Sequence, residues 1–296
     1  MYNSIVMVKQ VPDTANISGK VMKDDGTVNR AKLPAIFNNE DKEALELALQ
    51  VKEKYGGTVT VITMGPPRAA DILKDSLYMG ADKAYLISDR KFAGADTLAT
   101  SYVLSEAIKH IGNFDFVFAG RQAIDGDTAQ VGPQTAEKLN LSQVTYVEEI
   151  EKVEDNVARI KRKIDGGQEI VEAQLPLLLT VIKGGQKPRP FSAKRVMKYK
   201  NAKTLLDLEK TANENSLLNL DELIQEYKDN DLYIETLSVA DIPGIDETRI
   251  GLHGSPTKVH KVESVVLSGG EAVTVEPTKE GIGALIDELL NDHILG

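Results

Sequence analysis

Apolar positions in the first 120 residues fall into two alternating rhythms. Short runs rich in Val, Ile and Phe read as buried strands: "SIVMVKQV" (4–11), "TVTVITM" (58–64), "KAYLIS" (83–88) and "FDFVFAG" (114–120). Between them the apolar residues recur at helical spacing. "NEDKEALELALQVKEKY" (39–55) predicts a helix with Asn39 at its N-cap and acids in its first turn. "RAADILKDSLYMG" (68–80) predicts a helix closed by Gly80, and "DTLATSYVLSEAIKHIG" (96–112) one opened by Asp96 and closed by Gly112. Strand and helix in alternation specify an α/β fold: a mainly parallel, Rossmann-like sheet with helices on both faces.

After residue 143 the rhythm changes. The segment 144–185 reads as short strands with turns at "EDN" and "DGG", which pair antiparallel and extend the sheet. "GGQKPRPFSAKRVMKYKNAK" (184–203) carries prolines and many cations, so it reads as an exposed loop leading to a helix. From about 230 the pattern is irregular until a last amphipathic helix, "TKEGIGALIDELLNDH". This divides the chain into an α/β domain over 1–230 and a C-terminal arm over 231–296. The arm has apolar clusters without the alternation of a self-contained domain, which marks an interface.

Composition narrows the function. With 35 Lys and Arg against 45 Asp and Glu, the net charge of −10 argues against a broad nucleic-acid or membrane surface. The 296 residues contain no cysteine, which removes a Cys nucleophile and thiolate-held clusters. No apolar run reaches membrane-span length and the first residues do not form a signal peptide, so the expected location is cytoplasmic. The four histidines (His110, His253, His260 and His293) are scattered, none with a metal-ligand partner at helical spacing, and no metal site is expected. No nucleophile elbow or acid–base pair is visible, so no catalytic side chain is expected: either a bound cofactor does chemistry or there is none.

The most informative stretch is "AGRQAIDGDTAQVGP" (119–133), between the fourth strand and a further helix. Open parallel sheets bind ligands beyond the carboxyl ends of their strands. "KQVPDT", "TMGPP" and this loop converge there. Glycines let backbone approach a ligand, and the free N–H groups that open a helix seat a phosphate without a lysine. The spacing is neither G-x-G-x-x-G nor a Walker motif. A competing reading is structural: Asp127 and Gln130 have capping-box spacing, Asp96 has the position of a simple cap, and Gly120 that of a strand end. The residues by themselves reach an adenine-nucleotide or dinucleotide site and no further.

Taken together, "VKQVPDT", "ITMGPP", "YMGADKAYLISDRKFAGADTLATSYVLSEAI", "GRQAIDGDTAQVGP" and "GLHGSPTKV" resemble the β subunit of electron-transfer flavoproteins over essentially the whole chain. The resemblance implies a nucleotide-binding domain and an arm that wraps an α subunit carrying its own FAD. In the ordinary branch the β subunit holds AMP and serves acyl-CoA dehydrogenases. In the bifurcating branch it holds a second FAD that takes hydride from NADH. "SDRKFAGADTLATS" and "DGDTAQVGP" are similar to the bifurcating branch, whose electrons go to ferredoxin or flavodoxin and, through the α subunit, to a partner FAD-linked dehydrogenase. A flavin-free nucleotide-binding regulator and a nucleotide-dependent transferase are the competing classes.

The resemblance also implies site residues. Val8, Lys9, Gln10 and Asn39 border the adenosine or flavin edge, and Thr63, Met64 and Gly65 line the nucleotide under the second strand. Asp96, Thr97 and Thr100 face it from the third helix. Gly120, Ala123, Gly126, Asp127 and Thr128 form the loop around it, with Gln130, Val131, Gly132, Pro133 and Gln134 at the pyrophosphate. Ordinary members anchor acyl-CoA dehydrogenases with a leucine where this chain has Ala193. A methyl group loses about 1.5–3 kcal/mol of that burial, which points to a different acceptor, of lactate type for example, or to an acyl-CoA enzyme held by other contacts. Ala193, Lys194 and Arg195 are the expected partner-binding residues.

Overall fold

The computed structural model describes residues 1–13, 34–215, 218–258, 274–292 and 294. The chain opens with β1 (Ser4–Met7) and β2 (Gln10–Pro12), and β3 (Ala35–Phe37) pairs antiparallel with β2. There follow α1 (Asn39–Tyr55), β4 (Val59–Met64), α2 (Ala70–Met79), β5 (Lys83–Ile87), α3 (Thr97–Ile111), β6 (Phe116–Gly120) and α4 (Val131–Leu139). Every strand and helix expected in this half is present. The first strand is shorter than its apolar run: it stops at Met7, and β2 leaves the main sheet to pair with β3.

The second half adds β7 (Ser142–Glu154), β8 (Val157–Ile164), β9 (Gly167–Gln174) and β10 (Leu177–Val181). Next come α5 (Ala193–Tyr199), β11 (Lys203–Thr204), α6 (Leu205–Glu214), α7 (Leu220–Asp229) and β12 (Tyr233–Leu237). The sheet order is β11-β12-β5-β4-β1-β6-β10-β7-β8-β9. The strands from β11 to β7 are parallel, and β8 and β9 continue antiparallel, as expected for the extension. One strand of that segment behaves otherwise: β10, with five consecutive buried residues, inserts between β6 and β7 and pairs parallel with both.

Helices cover both faces. Leu45 and Leu49 of α1 and Leu73 and Leu77 of α2 share a core with Val6, Val59 and Val61. Tyr102, Val103 and Ile108 of α3 and Ala136 of α4 share the opposite core with Ile5, Ile62 and Val117. Strands buried on both faces explain the near-continuous apolar runs in the sequence.

The domain boundary falls later than the sequence reading places it. The compact units are Met1–Val259 and His260–Gly296, not 1–230 and 231–296. The reason is β12, which pairs parallel with β5 (Glu235 with Tyr85, Leu237 with Ile87) and so belongs to the main sheet. Short 3-10 turns at 239–241 and 247–249 follow it on the same unit. In the second unit the expected helix is present as α8 (Lys279–Asn291), capped by the Thr278 hydroxyl accepting from the Gly281 N–H. The expectation of irregular structure over 259–273, and the residues His260 and His293, lie outside the described residues.

Candidate functional site

The order β4-β1-β6 contains a switch point. From β1 the chain moves outward to β4 and β5, then returns to place β6 on β1's other side. Segments leaving the carboxyl ends of β1 and β6 therefore diverge and leave a crevice, the site at which doubly wound sheets bind ligands. Its floor is the N-terminus of α1.

Three buried polar residues at this helix start, Asn38, Glu40 and Asp41, hold the crevice backbone. The Asp41 carboxylate accepts from the Lys9 N–H (2.8 Å) after β1 and from the Gly120 N–H (3.0 Å) at the end of β6. Glu40 accepts from the Gln122 N–H (2.9 Å) and the Arg121 guanidinium (3.1 Å). The Asn38 amide donates to the Gln122 carbonyl at 2.9 Å and accepts from the Ile124 N–H at 3.4 Å. Lys9 closes the outer side with a 2.7 Å ion pair to Asp125. Gly120 is required by this arrangement: a Cβ there would overlap Asp41 Oδ1 and the backbone of α1. Burial pushes the Asp41 carboxyl up to about 7, against the hydrogen bonds from Asn38, Lys9 and Gly120, which favour the ionised form. The sequence reading names Asn39 here. The structure puts Asn39 in the first helical turn, exposed, with Asn38 in the cap position and buried against the loop instead.

The loop after β6 makes a turn at Ala123, whose carbonyl accepts from the Gly126 and Asp127 N–H groups (3.3 and 2.9 Å). Asp127 and Ala129 both adopt left-handed backbone, with φ of 49° and 52°. Asp127 is not a cap: its carboxylate accepts from the Gln122 amide, and Gln130 occupies the cap position of α4 without capping it. The capping-box reading is thereby corrected. An uncapped helix start leaves its first-turn N–H groups open to an anion. Thr128 is exposed there, and Val131 and Pro133 are half-buried. The two loop glycines differ. A Cβ on Gly126 meets nothing within 4 Å, whereas one on Gly132 would lie 2.7 Å from the Thr180 methyl of β10. Gly132 thus serves the packing of α4 on the sheet.

Asp96 is the cap of α3, as its structural reading has it. It accepts from the Ala99 N–H (3.0 Å) and, on its other oxygen, from the Thr257 N–H (3.0 Å) and hydroxyl (2.7 Å). Although burial works against it, these donors hold the carboxyl below its ordinary value. The Ser255 hydroxyl accepts from the Asp96 N–H (2.8 Å), so the "GLHGSPT" segment is clasped onto the start of α3. From the same turn Thr97 donates to the Gln130 side chain (2.8 Å), and one turn on Ser101 donates to that of Gln134 (3.2 Å), joining α3 to α4. Thr100 lies in the first turn of α3, its N–H bonded to the Asp96 carbonyl.

At the neighbouring strand ends, Val8 is buried with its N–H on the Ile62 carbonyl, and Gln10 donates to the Arg68 carbonyl (3.1 Å). Met64 and Gly65 are half-buried at the end of β4. Two buried polar atoms at this edge, Thr63 Oγ1 and Arg121 Nε, have no partner among the described residues. Unpaired buried donors and acceptors are costly. The uncapped start of α4 at the rim of the crevice is a donor set that fits a nucleotide's phosphates.

The basic loop at 184–200 is tied to the domain more firmly than its charge implies. Glu43 of α1 accepts from the Gly184 and Gln186 N–H groups (2.8 and 3.0 Å). Arg189 pairs with Glu46 (2.8 Å) and Glu53 (2.5 Å). The Arg195 guanidinium donates to the Leu77 carbonyl (2.5 Å) near the end of α2 and to the Ala81 carbonyl just beyond it, and the residue is half-buried. Ala193 and Lys194 are exposed in the first turn of α5 beside exposed Met197.

A mainly parallel, doubly wound sheet with a fixed crevice at its switch point defines an α/β protein of the nucleotide-binding architecture. A family model described as the electron transfer flavoprotein domain matches residues 25–204. The chain is 41% identical over 293 residues to an electron transfer flavoprotein subunit beta of Clostridium acetobutylicum, covering 99% of this chain and 100% of that one. It is also 41% identical to the caffeyl-CoA reductase-Etf complex subunit CarD of Acetobacterium woodii, covering 98% of this chain and 99% of that one. Identity to the acryloyl-CoA reductase electron transfer subunit gamma of Anaerotignum propionicum is 41%, with 98% of each chain covered. The chain belongs to the electron transfer flavoprotein family, and within it to the β subunits. This family binds flavin or AMP and pairs its β subunits with α subunits. Among the described residues, no helix is long and apolar enough to cross a membrane.

Proposed function

We propose that this β subunit belongs to the bifurcating branch: it holds FAD in the β1/β6 crevice and receives hydride from NADH. Electrons then leave by two routes, to a low-potential carrier (ferredoxin or flavodoxin) and through the α-subunit FAD to a dehydrogenase. The observation that supports a nucleotide here is the crevice, with backbone N–H groups at an uncapped α4 faced by a loop whose cations are already paired, and the choice of branch rests on the resemblance carried by "SDRKFAGADTLATS" and "DGDTAQVGP". FAD, when bound, would supply a hydride acceptor able to release electrons singly.

The chain's own residues would bind and orient it. The first-turn N–H groups of α4 would take the pyrophosphate. Asn38, Glu40 and Asp41 would keep the loop backbone in place. Two relatives are named as parts of caffeyl-CoA and acryloyl-CoA reductase systems, which favours an acyl-CoA-type acceptor over a lactate-type one. α8 presents Ile282, Leu285, Ile286 and Leu290 on one stripe, exposed in the isolated chain, and this is the face that would seat on the α subunit.

Flavin and nucleotide content of the purified heterodimer tests the reading. Two FAD per heterodimer is expected. One FAD with one AMP would instead establish the ordinary carrier, and absence of flavin would eliminate both.

A further inference from the structure

The acidic start of α1 is not explained by a helix dipole alone. Asp41 faces inward, and its two oxygens accept from N–H groups on two different strand exits, Lys9 after β1 and Gly120 at the end of β6. These two strands border the switch point. The carboxylate thus ties together the two segments whose separation sets the width of the crevice. Its fit is tight enough that residue 120 has no room for a Cβ.

Such a group is costly. Its carboxyl is pushed up by burial to about 7 from 3.8. The folded chain therefore keeps the proton where the unfolded chain has released it, and ionising Asp41 lowers stability as pH rises from about 4 to about 7. The charged group acting on it is Glu40 of its own helix, and the segments it ties carry Lys9 beyond β1 and Arg121 and Asp125 beyond β6. Lys9 is turned to Asp125 and Arg121 to Glu40, so neither cation pairs with Asp41. Only backbone N–H groups and the Asn38 amide stabilise the ionised form. An ionised carboxylate offers two acceptors to two donors, whereas a protonated one turns an O–H toward one of the N–H groups.

We propose that Asp41 is a positioning residue for the nucleotide: in its ionised form it pins the exits of β1 and β6 together, and the nucleotide binds the pinned crevice. The inference rests on the nucleotide-binding reading of that crevice. It places the cost in stability where the binding geometry is set.

The test uses the heterodimer with its α-subunit flavin retained and its exchangeable nucleotide removed, titrated with FAD between about pH 6 and pH 8, on either side of the Asp41 midpoint. The FAD pyrophosphate stays ionised over this range, so the ligand does not contribute a titration of its own. Affinity is expected to fall roughly tenfold from the upper to the lower end of the range as the competent fraction falls. Asp41→Asn keeps the shape but offers one acceptor and one donor. It should bind FAD roughly tenfold more weakly than wild type at the upper end, with no pH dependence, while its melting temperature there is not lowered. Hydrogen exchange of the Lys9 and Gly120 amides should quicken in wild type at the lower end, after correction for the intrinsic rate. Wild-type affinity that does not change with pH, or an Asp41→Asn protein in which affinity and melting temperature fall together, overturns the pin. Failure to bind FAD or AMP at any pH overturns the nucleotide reading itself, and the pin with it.

Discussion

Gly126 and Gly132 are close in sequence, yet a Cβ would meet open space at the first and the Thr180 methyl at the second. Gly132 faces the Thr180 methyl, so Gly132→Ala should overpack the α4–β10 contact by about 1–3 kcal/mol and lower the melting temperature with or without nucleotide. Gly126 has open space and no left-handed φ, so Gly126→Ala should leave the melting temperature of the nucleotide-free protein unchanged and weaken nucleotide binding. Calorimetry with and without FAD on both variants checks the pair, and a Gly126→Ala protein with full affinity would remove this glycine from the site. Residue types cannot reveal the difference, because the obstructing methyl lies on a strand much further along the chain. Asp41 is more accessible to a sequence reading. It sits in register with Ala44, Leu45 and Ala48, so an acid interrupts the buried stripe of α1. In the sequence that acid reads as a favourable first-turn charge; its partners, two N–H groups from distant strands, have no sequence signature.

At the scale of elements, the strongly periodic segments are legible because a strand buried on both faces and a two-faced helix leave unambiguous spacings. Two helices lack such spacing, although the basic segment leads to the first of them, as expected. α6 begins with Thr204 and Asp207 in a reciprocal capping box, and α7 with Asn219 accepting from the Asp221 and Glu222 N–H groups. Both signals stand in the sequence, but neither helix carries a continuous apolar stripe: one buried residue in α6 and none in α7. The basic loop shows the opposite failure, in which charge is legible and its use is not. Lys194 and Arg195 therefore make opposite predictions. Lys194→Glu should slow electron transfer to the acceptor dehydrogenase in a salt-dependent way and leave stability within about 0.5 kcal/mol. Arg195→Glu removes the donor from the Leu77 carbonyl of α2 and the Ala81 carbonyl just beyond it, and should lower the melting temperature even in the isolated heterodimer. Salt-dependent stopped-flow rates beside thermal melts distinguish them, and equal behaviour of the two variants would show the loop to be a single structural unit.

At the scale of the molecule, the late boundary changes where the chain can be cut. A chain ending at 259 keeps β12 on β5 and the Asp96 clasp with Ser255 and Thr257, and should fold while losing the α subunit. A chain ending at 231 loses both and should aggregate, because β5 then presents an unpaired parallel edge. Solubility and co-purification of the two truncations check this; a soluble, folded 1–231 chain would contradict it. The late arrival of β12 also has a consequence for biosynthesis. β5 ends at Ile87, and its outer partner ends at Leu237. At roughly 5–20 residues per second, the ribosome takes on the order of 8–30 s to make the intervening chain. Throughout that interval the nascent sheet displays the open flank of β5 in a crowded polysome, where neighbouring nascent chains offer identical strands. A pause in translation before β12 has emerged from the ribosome should therefore raise the demand for ribosome-associated chaperones far more than a pause after it has.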